Sequence, residues 1–372
     1  MDQARWQAVR NLLCVRLDTI GDVLMTGPAL RALKHSRPER RVTLLTSPPG
    51  AVAAELMPGV DETIVYEAPW MKASEPRTSG RLDLEMVARI RERRSDAAVI
   101  FTVHSQSPLP AAVLCTLAEV PLRLAHCREN PYALLTDWVP EPEPEKLLRH
   151  EVRRQLDLVA EVGARTTDER LAAEPPPVAR SRVEALLGDA GLDRDGDWLV
   201  VHPGSSAPSR RYPAEYFARA CRTLVREHGV AVVFSGDESD RPLVEEVRTR
   251  MQAPSMSLAG ELDLAGLAAL LAAAPVLVAG NTGPVHLAAA VGTAVVDLYA
   301  LTNPQHTPWG VPNVVLFNDV PCRWCYKSIC PEGHHLCLRG VEPDEVVRAA
   351  LQLLHDPEEG VPASPFGAVG LA

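Results

Sequence analysis

The chain has 372 residues, enough for two domains of ordinary size that each bury their own core. Its 48 acidic and 38 basic residues give a net charge of -10, which argues against a duplex nucleic-acid binder that depends on neutralising phosphates. No run approaches the roughly 18 apolar residues of a membrane span, and the first residues lack the layout of a signal peptide. We therefore expect a soluble, cytoplasmic protein.

The first half of the chain alternates short apolar runs with segments of helical periodicity. This alternation predicts an α/β fold with a doubly wound parallel sheet covered by helices on both faces. The strands are predicted at 11–17, 41–47, 62–66 and 97–103, and the helices after the loop DTIGD and at 82–93, 109–119 and 149–163.

A proline-rich stretch, LAAEPPPVAR at 171–180, predicts a stiff, non-helical connector between two domains. We place the N-terminal domain at 1–175, the C-terminal domain at 176–358 and a flexible tail at 359–372. The last helix is expected to pack back on the N-terminal domain.

The second half repeats the alternation, which predicts a second sheet of the same kind and a cleft between two sets of strand-end loops. The strands are predicted at 198–202, 230–235, 255–258, 276–279 and 294–299, and the helices at 181–190, 214–227, 241–251, 264–274, 285–291 and 343–354.

The most informative stretch is residues 277–293, LVAGNTGPVHLAAAVGT, which predicts a buried strand, a sharp turn and a helix. Unpaired backbone N–H groups and the positive end of the helix dipole would face the turn, which favours an anion such as a diphosphate. An ordinary turn that binds nothing fits the same pattern. His286, one turn into the helix, fits a packed core residue and a ligand-facing residue equally well.

The loop at 18–22 carries two carboxylates, Asp18 and Asp22, on either side of Gly21 at the end of the first strand. One of them fits the role of a general base in the cleft. The alternative is that Asp22 only caps the helix that follows.

Two loops of the second half contain groups that suit a nucleotide. The loop at 202–213 combines a glycine, hydroxyls and two arginines, which suits an anion site, although a solvated loop is the alternative. Its spacing is not that of a P-loop. The loop at 236–238 places a carboxylate where a ribose diol would be bound.

Other motifs are missing or leave alternatives open. No GxGxxG fingerprint follows a strand, which weakens a nicotinamide or flavin enzyme, and no HExxH or DxD pair occurs. Four cysteines cluster with irregular spacing near the C-terminus, and they suit a structural zinc or cluster, a redox-linked disulfide pair or four separate thiols. These cysteines are Cys322, Cys325, Cys330 and Cys337.

Four blocks in order resemble the signatures of glycosyltransferase family 9, the ADP-heptose:lipopolysaccharide heptosyltransferases and their relatives. The resemblance covers roughly residues 11–354. The blocks are LLCVRLDTIGDVLMTGPALRALK, VVHPGSSAPSRRYPAEYFARAC, VVFSGDESD and LAGELDLAGLAALLAAAPVLVAGNTGPVHLAAAVGTAVVDLY. It implies the GT-B architecture: two Rossmann-like domains, with the acceptor on the first, the nucleotide sugar on the second, and metal-independent catalysis between them.

The resemblance also implies roles for individual residues. Asp22 matches the family's proposed catalytic base, with Asp18, Thr19 and Gly21 on the acceptor side. Asn281 stands where the best-known heptosyltransferases have aspartate, and Arg210 stands in place of a lysine. The implied donor-binding residues are Ser205, Ser206, Arg210, Glu238, Leu262, Asn281, Thr282, Gly283 and His286.

The resulting hypothesis is an inverting glycosyltransferase that moves a heptose or related sugar from ADP-heptose to a glycan or lipopolysaccharide-type acceptor. The alternatives are a non-catalytic sugar-nucleotide-binding module and a nucleotide-sugar epimerase. We expect a monomer that needs no cofactor for catalysis, binds no nucleic acid and makes peripheral contact with the inner face of the membrane. The loops at 69–80 and 104–110, which would bind the acceptor, contain no motif that identifies it.

Overall fold

The computed structural model describes residues 2–72, 74–192 and 196–356. The chain divides into two compact units, the first ending at Glu169 and the second beginning at Arg170. The predicted boundary at residue 175 lies slightly further along the chain. The predicted tail at 359–372 lies outside the described residues.

The first unit is built on a six-stranded parallel sheet in the order β3-β2-β1-β4-β5-β6. Its strands are β1 (Asn11–Arg16), β2 (Arg41–Thr46), β3 (Glu62–Val65), β4 (Ala97–Ile100), β5 (Leu122–Cys127) and β6 (Asp137–Pro140). Its helices are α1 (Gln3–Ala8), α2 (Ile20–His35), α3 (Pro48–Ala54), α4 (Arg81–Glu92), α5 (Leu109–Leu117) and α6 (Glu151–Ala160).

The second unit repeats this topology in a sheet of order β12-β11-β10-β7-β8-β9. Its strands are β7 (Trp198–His202), β8 (Ala231–Phe234), β9 (Met256–Ser257), β10 (Val276–Gly280), β11 (Ala294–Leu298) and β12 (Asn313–Leu316). Its helices are α7 (Pro177–Asp189), α8 (Ala214–His228), α9 (Arg241–Met251), α10 (Leu264–Ala273), α11 (Gly283–Val291), α12 (Leu336–Arg339) and α13 (Pro343–His355).

Both sheets are parallel because every crossover passes through a helix or a long loop, so both faces of the central strands are covered. In β7, β10 and β11 every residue is buried. Strand β10, VLVAG, is apolar throughout, as a strand covered on both faces requires. The carboxyl ends of these buried strands are therefore the places where polar loops can form ligand sites.

The structure differs from the sequence expectations in its strands and in one helix. Strands β5, β6 and β12 were not predicted, because Arg123 and His126 interrupt β5 and because β6 and β12 have only four residues and begin with a polar one. The non-helical connector, expected to run to residue 180, ends earlier because α7 begins at Pro177. A proline is tolerated there, since the first N–H groups of a helix have no partner within the helix. Helix α13 packs on α8, β11 and β12 of the second unit, and its packing on the N-terminal domain stays a prediction.

Within the described residues, no helix combines the length and the apolar character that crossing a membrane requires.

Candidate active site

The loops predicted to bind a donor follow four neighbouring strands of the second sheet. The strand order changes direction between β7 and β10, and ligands of open α/β sheets bind at the carboxyl ends of the strands beside such a point. The loop with Ser205 and Arg210 follows β7, and the turn at Asn281 follows β10. Glu238 follows β8 and Leu262 follows β9. The structure therefore brings these residues to one edge of one sheet.

The turn after β10 leads into α11, which begins at Gly283 rather than at the predicted residue 285. Thr282 is the N-cap residue, but its side chain accepts no capping hydrogen bond, and its Oγ1 donates to the Gly280 carbonyl at 3.1 Å. Helix α11 ends at Gly292, whose φ of 87° is left-handed. Backbone N–H groups at the start of α11 are thus not used by the cap residue's side chain.

The side chain of Asn281 is held by other groups of the protein. Its side chain is buried, and Nδ2 donates to Asp297 Oδ2 at 2.8 Å and to the His306 carbonyl at 2.7 Å. The amide therefore ties the turn to β11, and the Asn281 backbone N–H does the same by donating to the Leu298 carbonyl at 3.3 Å. The contact of Asn281 with a donor stays a prediction.

Asp297 is a residue that sequence reasoning missed. It is fully buried in β11, and burial raises its pKa to about 8, although the hydrogen bond from Asn281 and the charge of Arg210 oppose the shift. A single aspartate within the apolar strand AVVDL was the available signal. A carboxyl group in this position fixes Asn281 and hence the turn.

Arg210 joins the two central loops. It ends a short 3-10 helix, Pro208–Arg210, and its Nη1 donates to the Asn281 carbonyl at 3.2 Å. A Cβ at Gly280 would lie only 2.8 Å from the Arg210 carbonyl oxygen, so glycine is needed for this approach. The arginine is thus held beside the start of α11.

The rest of the loop after β7 is held by hydrogen bonds to a segment near the C-terminus of the chain. Ser209 Oγ donates to the Lys327 carbonyl at 2.8 Å, and its N–H donates to the Ser328 carbonyl at 3.0 Å. Ser205 is buried and closes a local turn with Ala207, whereas Ser206 is exposed. Of the two predicted serines, Ser206 is the one whose hydroxyl faces solvent.

Glu238 lies in the first turn of a short 3-10 helix that Asp237 caps. Its side chain is 77% exposed and pairs with Arg241 at 3.0 Å. Leu262 is half-buried between β9 and α10. Both side chains are accessible, as a ribose contact and a base contact require.

His286 is buried on the first turn of α11, and its ring packs edge-on against His306 at a centroid distance of 6.3 Å. The structure thus supports the packed-residue interpretation of this histidine. Its role toward a donor stays a prediction.

The first unit carries a group of carboxylates around Arg16, a residue that the sequence did not single out. Arg16 ends β1 and its side chain is fully buried. Its guanidinium contacts Asp18 at 2.8 Å, Asp22 at 3.2 Å and Glu151 at 2.8 Å. Glu151, on α6, is also fully buried. One cation therefore orients three acids at the carboxyl end of β1.

Asp22 lies in the first turn of α2, and its side chain is 18% exposed. Its Oδ1 accepts from Arg16 and its Oδ2 accepts from Thr19 Oγ1 at 3.1 Å. The N-cap residue of α2 is Thr19, whose side chain accepts no hydrogen bond from the backbone N–H groups of the helix. Asp22 lies inside the helix and is not its N-cap residue, so the capping interpretation of Asp22 is wrong. Gly21 is buried in the same turn.

Asp18 differs from Asp22 in its surroundings. Its Oδ1 accepts from Gln106 Nε2 at 2.7 Å. Burial raises its pKa, an effect that Arg16 and the Gln106 hydrogen bond only partly offset. The two acids of the loop therefore share Arg16 but differ in their second partner, which is Gln106 for Asp18 and Thr19 for Asp22.

The cysteine segment does not form the metal site that we considered. All four cysteines are free, and in the described part of the chain no three His, Cys, Asp or Glu side chains are placed to hold a metal ion. Cys322 Sγ lies 3.7 Å from His334 Nε2, and the side chains of Cys322 and Cys337 pack against the apolar cluster of Tyr299, Leu301 and Val320. Packing directs these two thiols into the core and separates potential ligands.

Two Rossmann-like units, one with nucleotide-type loops and one with an oriented acid, have the composition of the GT-B fold. The family model described as "Glycosyltransferase family 9 (heptosyltransferase)" matches residues 87–336. The chain belongs to this family. The predicted family and fold class are both confirmed.

Similar proteins span nearly the whole chain. Lipopolysaccharide heptosyltransferase 2 of Salmonella typhimurium is 25% identical over 366 residues, which cover 94% of this chain and 100% of the relative. A family 9 glycosyl transferase of Veillonella parvula has a TM-score of 0.75 at 22% identity, covering 93% of this chain and 97% of that one. The E. coli ADP-heptose lps heptosyltransferase II has a TM-score of 0.70 at 22% identity, covering 92% and 98%. The two structures have the same fold as this chain.

Proposed function

We propose that this glycosyltransferase moves a heptose or closely related sugar from ADP-heptose to a hydroxyl of a lipopolysaccharide-type acceptor, with inversion at the anomeric carbon and without a metal ion. The names of the similar proteins support the donor and the acceptor class. The observation that carries the proposal is the grouping of the nucleotide-type loops after β10, β7, β8 and β9.

The donor is assigned to these loops strand by strand. The diphosphate would lie at the start of α11, within reach of Arg210 and the exposed hydroxyl of Ser206. Moving outward along the sheet, the ribose would meet Glu238 and the base would pack on Leu262. Diphosphate, ribose and base would thus follow one another across the sheet in the strand order β10-β7-β8-β9.

In the proposed reaction, Asp22 accepts the proton of the acceptor hydroxyl while that oxygen attacks the anomeric carbon of the donor sugar. The new carbon–oxygen bond forms on the face opposite the nucleotide, and the bond from the anomeric carbon to the phosphate oxygen breaks with its electron pair. A single displacement needs one base and no second nucleophilic carboxylate. Arg16 and Thr19 hold the two oxygens of Asp22 and so fix its direction.

The departing nucleoside diphosphate gains negative charge as the bond breaks. Arg210 and the backbone N–H groups at the start of α11 are positioned to stabilise it. In this proposal Asn281 shapes the turn, because its side chain is bonded to Asp297 and its backbone N–H donates to the Leu298 carbonyl. In this proposal the leaving-group charge is met by protein groups alone.

We also propose that the enzyme works as a cytoplasmic monomer at the inner face of the membrane, where a lipopolysaccharide-type acceptor would be presented. The eight free cysteines fit a reducing compartment.

The purified chain tests the proposal when it is incubated with ADP-heptose, with and without a heptose-accepting lipopolysaccharide core, in the presence of EDTA. We expect ADP release only with the acceptor, an inverted product, and no loss on chelation. Conversion of the sugar without acceptor would indicate an epimerase, and binding without turnover would indicate a binding module. Matched assays with UDP- and GDP-sugars test which nucleobase the donor site accepts.

A further inference from the structure

The four cysteines of the cysteine segment, residues 322–337, have no part in the proposed reaction. They are only partly buried, whereas the other four cysteines of the chain are buried. An oxidant in solution therefore meets the thiols of this segment first. Since the described residues form no metal site, the possibilities that remain from the sequence are a disulfide pair and separate thiols.

Cys322 has a histidine beside its sulfur. Its Sγ lies 3.7 Å from His334 Nε2. The other ring nitrogen, Nδ1, accepts the Leu336 backbone N–H at 2.9 Å, so the neutral ring carries its proton on Nε2. This ring N–H faces the sulfur, and it is the kind of donor that a thiolate accepts. Because the thiolate is the form of cysteine that attacks an oxidant, Cys322 is placed as the nucleophile of the segment.

Cys337 is placed to complete a disulfide with Cys322. The two side chains pack against the same apolar cluster, which includes Tyr299 and Leu301. Burial raises the pKa of Cys337, and the neighbouring thiols of Cys330 and Cys322 raise it further. Cys337 is therefore held as a thiol near Cys322, as the second partner of a disulfide must be.

The cysteine segment also holds the donor loop that follows β7. Between the two cysteines, the carbonyls of Lys327 and Ser328 accept the Oγ–H and the N–H of Ser209 at 2.8 and 3.0 Å. Ser209 is 4% exposed and directly precedes Arg210, the cation assigned to the diphosphate. A movement of the segment would thus be passed to the donor site through two hydrogen bonds.

The backbone of the segment is strained at three residues. Trp324, Tyr326 and His335 have φ values of 63°, 52° and 53°, in the left-handed region that is unfavourable for residues other than glycine. The N–H groups of Trp324 and Tyr326 donate to the Leu301 and Thr302 carbonyls, both at 2.7 Å. A disulfide, which fixes two sulfurs about 2.0 Å apart, would compete with the few bonds that keep this conformation.

We propose that Cys322 and Cys337 form a reversible disulfide when a hydroperoxide oxidises the chain, and that this disulfide weakens donor binding by displacing the carbonyls that hold Ser209. The inference rests on the proposed function in taking ADP as the ligand that reports donor binding. Transient disulfides of this kind are the ones that reducing compartments contain.

The oxidation transfers two electrons in two steps. The Cys322 thiolate attacks one oxygen of the hydroperoxide, an S–O bond forms, the O–O bond breaks, and the departing oxygen takes up the thiol proton and leaves as water or an alcohol. The Cys337 sulfur then attacks the sulfenic acid, the S–S bond forms, the S–O bond breaks, and hydroxide leaves as water with the Cys337 proton. Two thiols are oxidised and one hydroperoxide is reduced, and exchange with a small thiol reverses the change.

Hydrogen peroxide added to the reduced full chain tests the inference. Mass spectrometry should show the loss of two hydrogen atoms. A tryptic digest should contain two peptides joined through Cys322 and Cys337, since Arg323 and Lys327 lie between these cysteines. Calorimetry should show ADP binding weakened about fivefold or more, because the support of one or two hydrogen bonds is lost. Dithiothreitol should restore both the mass and the affinity.

The variants Cys322→Ser and Cys337→Ser should each bind ADP as the reduced chain does and lose the response to peroxide. Cys325→Ser is the matched control, because it removes another partly buried thiol of the same segment, and it should keep the response. His334→Leu should slow disulfide formation, because the thiolate loses its N–H donor. If the serine variants do not fold, the peptide map and the ADP affinity of the unchanged chain decide.

Three outcomes would overturn the inference. They are the absence of a disulfide after peroxide treatment, a link from Cys322 to a cysteine other than Cys337, and a Cys322–Cys337 disulfide that leaves the affinity for ADP unchanged. Failure of the proposed function is distinguishable, because the reduced chain would then bind no ADP whereas the peptide map would still report on the disulfide.

Discussion

Arg16 Nη2 donates to Asp22 Oδ1 at 3.2 Å from a side chain with no exposed surface. The guanidinium has equally direct contacts with Asp18 and Glu151, so it cannot turn away without leaving buried acids unbalanced. The direction of the proposed base is therefore set from inside the protein.

Replacing Arg16 by lysine tests this positioning role. One ammonium group cannot make the three contacts of a planar guanidinium, so Arg16→Lys should lower kcat about tenfold or more and destabilise the fold by about 3 kcal/mol. The Kd for ADP should stay unchanged, since the donor loops belong to the other unit. Steady-state kinetics, urea unfolding and ADP titration separate these effects, and an unchanged kcat in a folded variant would contradict the positioning role.

Arg210 tests the donor assignment. Its side chain is held beside the start of α11 by the Asn281 carbonyl, where its charge would reach a diphosphate. Arg210→Ala should weaken ADP binding about 10- to 100-fold, as measured by calorimetry, because a charge-assisted contact is lost. Arg250→Ala, which removes a surface arginine that pairs with Glu246, is the control and should not alter the affinity for ADP. Equal affinity in both variants would contradict the assignment.

Asp297 predicts a pH dependence of stability. Its folded pKa of about 8 lies above the ordinary value of 3.8, so the folded state binds this proton more tightly than the unfolded chain does. Its contribution to stability is therefore greatest below pH 4 and is lost as the pH rises through about 8.

The variant Asp297→Asn should remove this dependence, because an amide does not titrate and its oxygen can still accept from Asn281. Urea unfolding at pH 5.5 and 8.5 should show a smaller fall in the free energy of unfolding for the variant than for the unchanged chain, by about 1–3 kcal/mol. Asp319→Asn, at an exposed position, is the control. Parallel curves for all three proteins would show that Asp297 does not titrate in this range.

Much of the fold could be predicted because its central strands are continuous apolar runs separated by helical patterns. The edge strands β6 and β12 escaped prediction, since each has only four residues and begins with a polar residue, Asp137 or Asn313, that only tertiary packing buries. The proline stretch misled in one respect, because Pro177 begins a helix.

The loops of the candidate site could be predicted from the sequence, but the tertiary contacts that hold them in place could not. Asp22, Arg210 and Glu238 lie shortly after the ends of β1, β7 and β8. The ends of apolar strands can be recognised in a sequence, so these residues could be found. The contacts of Arg16 with Glu151, 135 residues away, and of Asn281 with Asp297 depend on tertiary packing. No local pattern predicts such pairs. The signal that both share is a single charged residue in a mostly apolar strand, Arg16 at the end of β1 and Asp297 within β11.

The most direct test of the account is the acceptor-dependent release of ADP by Asp22→Asn, measured beside its affinity for ADP. Loss of a positioned base predicts a fall in turnover of about 10²- to 10⁴-fold with unchanged ADP binding, while Asp319→Asn retains full activity. Turnover by Asp22→Asn at the rate of the unchanged chain would contradict the assignment of Asp22 as the base.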